Sequence, residues 1–247
     1  MVHGLIFAAG LGTRLKPLTD TMPKALVPLA GKPLLQWQVE KLRDAGITDI
    51  IVNVHHFPDM IIDTIRANQG WNCHISVSDE REMLLDTGGG LKKVRGDRLK
   101  VKGEPVLACN VDILSNIDLR ALISAYERTG VSQLVVSKRE TQRYLCFDEK
   151  DRLCGWTNIK TGEVRPNNGT WQIEDTQLLA FSGMQILSPD VLAMLDTMKE
   201  DKFSLIDFYL SICGKAELKA FVPNDYRMMD VGKIDQIEEA ETFAESL

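Results

Sequence analysis

The segment Ala8-Ala9-Gly10-Leu11-Gly12-Thr13-Arg14-Leu15-Lys16-Pro17-Leu18-Thr19 sets two glycines and two cations directly after a short apolar run. Gly10 and Gly12 let backbone N–H groups turn toward a bound group with no side chain in the way. Arg14 can fork onto phosphate oxygens, and Lys16 adds charge. Together these make the chemistry of a polyphosphate cradle. No GK[ST] follows, because Gly31-Lys32-Pro33 breaks that pattern, so the loop is not of the Walker type. It is not a dinucleotide fingerprint either, since the third glycine is missing and Pro17 interrupts a helix there. Two glycines alone would favour a plain turn carrying solvated charges. The next segment, Pro23-Lys24-Ala25-Leu26-Val27-Pro28, adds Lys24 on a stretch stiffened by two prolines, which suits a point charge held for phosphate. Alone, Lys24 would read as a surface lysine.

Two carboxylates and a glycine run extend the set. Asp112, in Asn110-Val111-Asp112, ends an apolar strand. A carboxylate there suits Mg²⁺, which takes oxygen ligands and substrate phosphates rather than an all-protein cage. The competing reading is an aspartate capping the next turn. Asp230, in Met229-Asp230-Val231-Gly232, stands before the terminal helix, where a helix cap near Lys233 is as good a reading by itself. Thr87-Gly88-Gly89-Gly90 would let flat backbone lie against a planar base; a flexible hinge is the rival.

These residues need elements to position them. Leu5–Ala9, Ile50–Val54, Ile75–Ser78, Val106–Val111 and Val131–Ser137 read as strands, interleaved with helices over Pro33–Ala45, Pro58–Asn68 and Asn116–Arg128. Near-continuous apolar strands alternating with helices imply βαβ units and a mostly parallel sheet with right-handed crossovers. Ligands bind beyond the carboxyl ends of such strands, where Gly10, His55, Asp79 and Asp112 fall. Further on, a hairpin over 145–157 and a strand over Leu178–Leu187 precede helices over Pro189–Met198, Leu205–Cys213 and Lys233–Glu245. No linker divides the chain, so the expectation is one α/β domain, Rossmann-like and three-layered, with a mixed, mostly parallel central sheet and a small antiparallel elaboration.

Composition excludes several classes. The chain has 247 residues, 35 acidic against 29 basic, for a net charge of −6, which argues against a broad electrostatic grip on nucleic acid. No apolar stretch approaches the ~18–20 residues of a spanning helix, and the N-terminal apolar run precedes its basic residues, the reverse of a secretory signal. The odd set Cys73, Cys109, Cys146, Cys154 and Cys213 contains no CxxC pair. It suggests neither a disulfide framework nor a zinc site, and a reducing cytoplasm is expected. His55 and His56 are adjacent at a strand end and point opposite ways, so they are poor co-ligands.

Ala8–Thr19 with Pro23–Leu35 resembles the signature of the sugar-1-phosphate nucleotidylyltransferases: an AAG-x-GTR-L-x-PLT loop, then PK-x-L-x-P, then GKP-L, each element matched here. The resemblance implies a single glycosyltransferase-A-like domain, with 1–140 binding nucleotide and 141–247 binding sugar. It implies that Ala8, Ala9, Gly10, Gly12, Thr13 and Arg14 wrap a nucleoside triphosphate, joined by Thr87, Gly88, Gly89 and Asn110. Arg14 and Lys24 would act on the reacting phosphates, and Asp112 with Asp230, in the family's D-V-G segment, would hold Mg²⁺. Val111 stands where the family usually has glycine. Phe181-Ser182-Gly183 resembles the strand lining the family's sugar pocket, which implies Ser182 and Gly183 as sugar contacts, with Glu174 and Asp175 upstream for hydroxyls. The family's E-K-P element, whose lysine meets the sugar phosphate, is missing; Lys160 is a weak stand-in. The TGGG version is similar to the N-acetylmuramate-1-phosphate uridylyltransferase branch, which implies UTP, a cell-wall sugar phosphate and a peptidoglycan-recycling role. Mannose- or glucose-1-phosphate nucleotidylyltransferases and phosphocholine cytidylyltransferases share parts of the signature. A regulatory nucleotide-sugar-binding module would lack the metal aspartate or the lysine, and both are present. No membrane or nucleic-acid partner is expected, and the assembly should be a monomer or small homo-oligomer.

Overall fold

The computed structural model describes residues 1–97, 103–166 and 171–247. The strands in chain order are β1 (His3–Phe7), the two-residue β2 (Pro28–Leu29) and β3 (Lys32–Pro33), β4 (Asp49–Val54), β5 (His74–Asp79), β6 (Val106–Asn110), β7 (Ile113–Ser115), β8 (Ser132–Ser137), β9 (Arg143–Phe147), β10 (Leu153–Asn158), β11 (Glu163–Arg165), β12 (Gln177–Leu187), β13 (Leu218–Phe221) and β14 (Met228–Asp230). The helices are α1 (Leu34–Asp44), α2 (Pro58–Ala67), α3 (Asp86–Asp97), α4 (Leu119–Thr129), α5 (Pro189–Ala193), α6 (Leu205–Ile212) and α7 (Ile237–Glu245).

The main sheet runs β11-β10-β9-β12-β6-β1-β4-β5, with β8 paired to β12 and β13 to β8. The block β6-β1-β4-β5 is parallel. The strands β9, β10, β11 and β12 add an antiparallel half, which extends the expected 145–157 hairpin. The architecture is the expected mixed sheet between two helical layers. Strand residues alternate between two apolar cores: Ile6, Val52 and Leu107 face one, Leu5, Phe7, Ile51 and Ala108 the other. That two-sided burial is why these strands read as nearly continuous apolar runs. The first core takes its helical residues from α1, α2, α4 and α7, such as Leu35, Ile61, Leu122 and Ala240. The second takes them from α3, α5 and α6, such as Leu91, Val191 and Phe208.

Three local expectations need revision. The helix over Pro189–Met198 is α5 followed by a 3₁₀ turn, Met194–Thr197. The terminal helix starts as a 3₁₀ turn, Ile234–Gln236, before α7. Thr87–Gly90 is not a flat loop: it lies in the first turns of α3. Its glycines serve packing. A Cβ at Gly89 would stand 2.0 Å from the Asp201 carbonyl, and one at Gly88 would stand 2.4 Å from the Phe203 ring. The N–H groups of both donate to the Phe203 carbonyl, at 2.9 and 3.1 Å. Gly89→Ala is therefore expected to lower stability by about 2–3 kcal/mol, read as a fall in the denaturation midpoint. Gly10→Ala, where an added Cβ meets nothing within 4 Å, should leave that midpoint unchanged.

Candidate active site

The loop after β1 is locked from within. Gly12 adopts φ 63°, ψ 28°, a region that favours glycine. A Cβ there would also lie 2.8 Å from Thr19 Cγ2. Thr19 Oγ1 donates to the Gly12 carbonyl at 2.8 Å, and Leu15 is fully buried beneath. Gly10 plays a different part: it is exposed with open space around it, so its missing side chain leaves room for a bound group rather than for the protein.

An interior hydrogen-bond chain fixes where the loop begins. Ala8 N–H donates to Asn53 Oδ1 at 2.7 Å, Asn53 Nδ2 donates to Glu80 Oε1 at 2.8 Å, and Leu85 N–H donates to Glu80 Oε2 at 3.3 Å. Burial raises the Glu80 carboxyl above its ordinary range, while the hydrogen bonds from Asn53 and Leu85 pull it back. Gly90 makes room for this pair, since a Cβ there would meet Glu80 Oε1 and Asn53 Nδ2 at 2.8 and 2.9 Å. The chain thereby joins the β1 loop to residues 84–87 across the cleft.

Asp112 follows β6 at the ligand end of the sheet, half-buried. Its neighbour Val111 is 4% exposed, donates its N–H to the Phe7 carbonyl at 3.1 Å, and is not among the residues with positive φ. Valine thus replaces glycine here without backbone strain. Helix α1 steadies the next strand: Gln38 Nε2 donates to the Ile113 carbonyl at 2.6 Å, and Lys41 Nζ donates to the Ser115 carbonyl.

Asp230 reaches Asp112 through strand pairing. β14 runs antiparallel to β7 with Asp230 opposite Ile113, and Val231 N–H donates to the Asp112 carbonyl at 2.9 Å. Burial, and then the Asp112 charge, raise the Asp230 carboxyl above the usual range; Lys24 and Arg14 pull it down. Both cations face the acids. Lys24, itself buried, pairs with Asp112, and Arg14 lies 3.9 Å from Asp230. Gly232 permits this approach, since a Cβ there would stand 2.7 Å from Arg14 Nη2. Among the described residues no group of three or more His, Cys, Asp or Glu is arranged to hold a metal. Two oxygen donors with open positions suit an ion that completes its shell with phosphate and water, and do not suit a closed zinc site.

These residues line one cleft of about 490 Å³, which includes Ala8, Ala9, Gly10, Gly12, Thr13, Arg14, Lys24, Thr87, Asn110 and Asp112. Leu84, Asp86 and Lys202 line it too, and so supply the wall expected from Gly88 and Gly89, which do not line it. A second cavity of about 280 Å³ adjoins it through Asn110 and holds Ser182, Gly183 and Asp230. Gly183 has φ 67° at a register shift in β12, and a Cβ there would lie 2.8 Å from Asn110 Nδ2. Glu174 and Asp175 sit exposed in a 3₁₀ turn and line neither cavity. Lys160 lies in an exposed turn after β10 and also lines neither. Sequence reading overlooked Asn53, Glu80, Arg139 and Lys202. Of these only Asn53, a polar residue inside an Ile-Val strand, carries a local signal.

None of the five cysteines is paired, and burial raises all their thiols: Cys109 and Cys146 to about 12, Cys154 to about 11, with Cys73 and Cys213 also raised. Because the thiolate is the reactive form, iodoacetamide at neutral pH should leave activity unchanged, measured as turnover before and after treatment.

The Nucleotidyl transferase family profile matches residues 3–246. The chain is 33% identical over 232 residues to the N-acetylmuramate alpha-1-phosphate uridylyltransferase of Caulobacter vibrioides, covering 89% of this chain and 87% of that protein. It is 34% identical over 139 residues to the mannose-1-phosphate guanyltransferase of Saccharomyces cerevisiae, covering 56% of this chain and 38% of that one. Among solved structures it superposes on HddC from Yersinia pseudotuberculosis, complexed with GMP-PN, with TM-score 0.75 and 24% identity, covering 99% of this chain and 100% of that chain. The last likeness concerns the fold alone.

Proposed function

The chain belongs to the nucleotidyl transferase family, and from that premise we propose that it joins a nucleoside triphosphate to a sugar 1-phosphate, releasing pyrophosphate, with UTP and N-acetylmuramate 1-phosphate as the substrates. The observation that carries this reading is the convergence of Arg14, Lys24 and Asp112 on the cleft beside the glycine loop, with Asp230 lining the adjoining cavity 3.9 Å from Arg14. Similarity to the Caulobacter uridylyltransferase along most of both chains supports the choice of substrates.

The reaction is a single displacement. An oxygen of the sugar phosphate attacks the α-phosphorus, a new O–P bond forms, and the bond to the bridging oxygen breaks as pyrophosphate leaves in line. Phosphate is already nucleophilic, so the barrier lies in anion repulsion and orientation, and catalysis is positioning plus charge stabilisation. Backbone N–H groups of residues 8–13 hold the triphosphate. Arg14 grips its outer phosphates, and Lys24 exchanges its Asp112 partner for a phosphate oxygen. Asp112 and Asp230 would hold Mg²⁺, which when bound offsets the charge of the triphosphate. Leu84, Asp86 and Thr87 border the base. Residues 1–140 thus carry most of the nucleotide contacts, and 141–247 contribute the sugar side, Lys202 and Asp230. The unpaired cysteines fit a reducing cytoplasm, and among the described residues no helix is long and apolar enough to cross a membrane.

The test is a matrix of nucleoside triphosphates against sugar 1-phosphates, scored by pyrophosphate release with and without EDTA. UTP with N-acetylmuramate 1-phosphate should give the highest kcat/KM, and EDTA should stop it. Preference for another sugar or base would move the substrate assignment. Turnover in EDTA would reject the two-carboxylate metal role.

A further inference from the structure

The second substrate is an anion arriving among anions. Its phosphate must come within bonding distance of an α-phosphorus already flanked by triphosphate oxygens, Asp112 and Asp230. In the reaction proposed above Lys24 and Arg14 serve the triphosphate, and neither lines the adjoining cavity. The approach from the sugar side therefore needs a cation of its own. Among the described residues lining the 280 Å³ cavity, Arg139 is the one cation.

Arg139 follows β8, where Val136 lies opposite Phe181 and Ser137 opposite Ala180. Its Nη2 donates to the Phe181 carbonyl at 3.0 Å, which orients the guanidinium across the cavity edge. Among the described residues it makes no ion pair, so the rest of its fork is available to a ligand. Asp230 lines the same cavity, so the arginine and the second acid share one ligand-sized space. A second group points the same way: Ser182, 1% exposed, lines this cavity with the Tyr226 hydroxyl as its neighbour. A hydroxyl has one donor and two acceptor positions, so it can donate to a ligand oxygen in the cavity.

We infer that Arg139 is the residue that takes the 1-phosphate of the incoming sugar, with the Ser182 hydroxyl as a second donor to the same ligand. This rests on the function proposed above and assigns the contact for which the sequence offered no E-K-P lysine. A guanidinium suits the task because two parallel N–H groups can hold two phosphate oxygens and fix the attacking third.

The test uses the intact protein and two substrates, N-acetylglucosamine 1-phosphate, which has no carboxylate, and N-acetylmuramate 1-phosphate, which has one. Arg139→Ala should raise KM for both sugar phosphates about 30-fold, the loss of one charge-assisted contact. KM for the triphosphate and its binding measured by calorimetry should stay within about twofold, as expected where no contact is lost. Arg139→Lys should recover part of the loss. Because Arg139 is exposed, the variant should keep the wild-type melting temperature. An unchanged sugar-phosphate KM, or an equal rise for the triphosphate, overturns the assignment. A loss confined to N-acetylmuramate 1-phosphate also overturns it, because the arginine would then be reading the sugar carboxylate. These three results leave the proposed reaction standing. A wild-type protein that releases no pyrophosphate with any sugar 1-phosphate overturns the reaction and the assignment together.

Discussion

Asp112→Asn is expected to cut pyrophosphate release by about 10³-fold, the scale of removing a principal electrostatic contact from a phosphoryl-transfer site. Asparagine keeps the size and one oxygen but removes the charge that would hold a divalent ion and that now pairs with Lys24. Its backbone link to Val231 is untouched, so the β7–β14 pairing should persist and the far-ultraviolet spectrum should match wild type. The rate is read as pyrophosphate release at saturating substrates, with Mn²⁺ binding followed separately by electron paramagnetic resonance. Near-normal turnover would remove Asp112 from the mechanism.

Lys24→Ala should reduce kcat by about 10²- to 10³-fold with a smaller change in triphosphate KM, because the ammonium acts where charge develops. Lys24→Arg should not rescue it. A planar fork cannot replace a compact ammonium in a slot where the side chain keeps only 10% of its surface exposed. Each single change also leaves the other half of a largely buried pair without its partner, which is destabilising. The double variant Lys24→Ala/Asp112→Asn should therefore melt higher than the two single losses predict by simple addition, measured by thermal unfolding. Additive losses would mean that the pair contributes no coupling.

The parts of the site that sequence revealed are those compressed into one stretch. The β1 loop and Lys24 lie close together along the chain, and their residue types state their chemistry. Asp112 was legible because a strand end marks the ligand side of a parallel sheet. Asp230 was ambiguous by itself: only the pairing of β14 with β7 brings it to Asp112, across nearly half the chain. The glycine run at 87–90 reads two ways for a physical reason. Glycine serves a backbone laid on a ligand and a backbone pressed against Asp201 and Phe203 equally well, and the type of residue cannot distinguish them. Glu80 and Arg139 were hidden because their meaning lies wholly in partners brought by other strands. Glu174 and Asp175 carry oxygen donors of the right kind, yet they sit exposed and line neither cavity.

The late arrival of β14 has a consequence for how this protein matures. A nascent chain that has left the ribosome up to β12 already carries the phosphate loop, Lys24 and Asp112, but its second acid is still unborn or threaded in the exit tunnel. On the function proposed above, such an intermediate would carry the triphosphate cradle without its second acid. The two acids would meet only when β14 docks on β7, far upstream in the chain, so the last strand to emerge is the one that would complete the site.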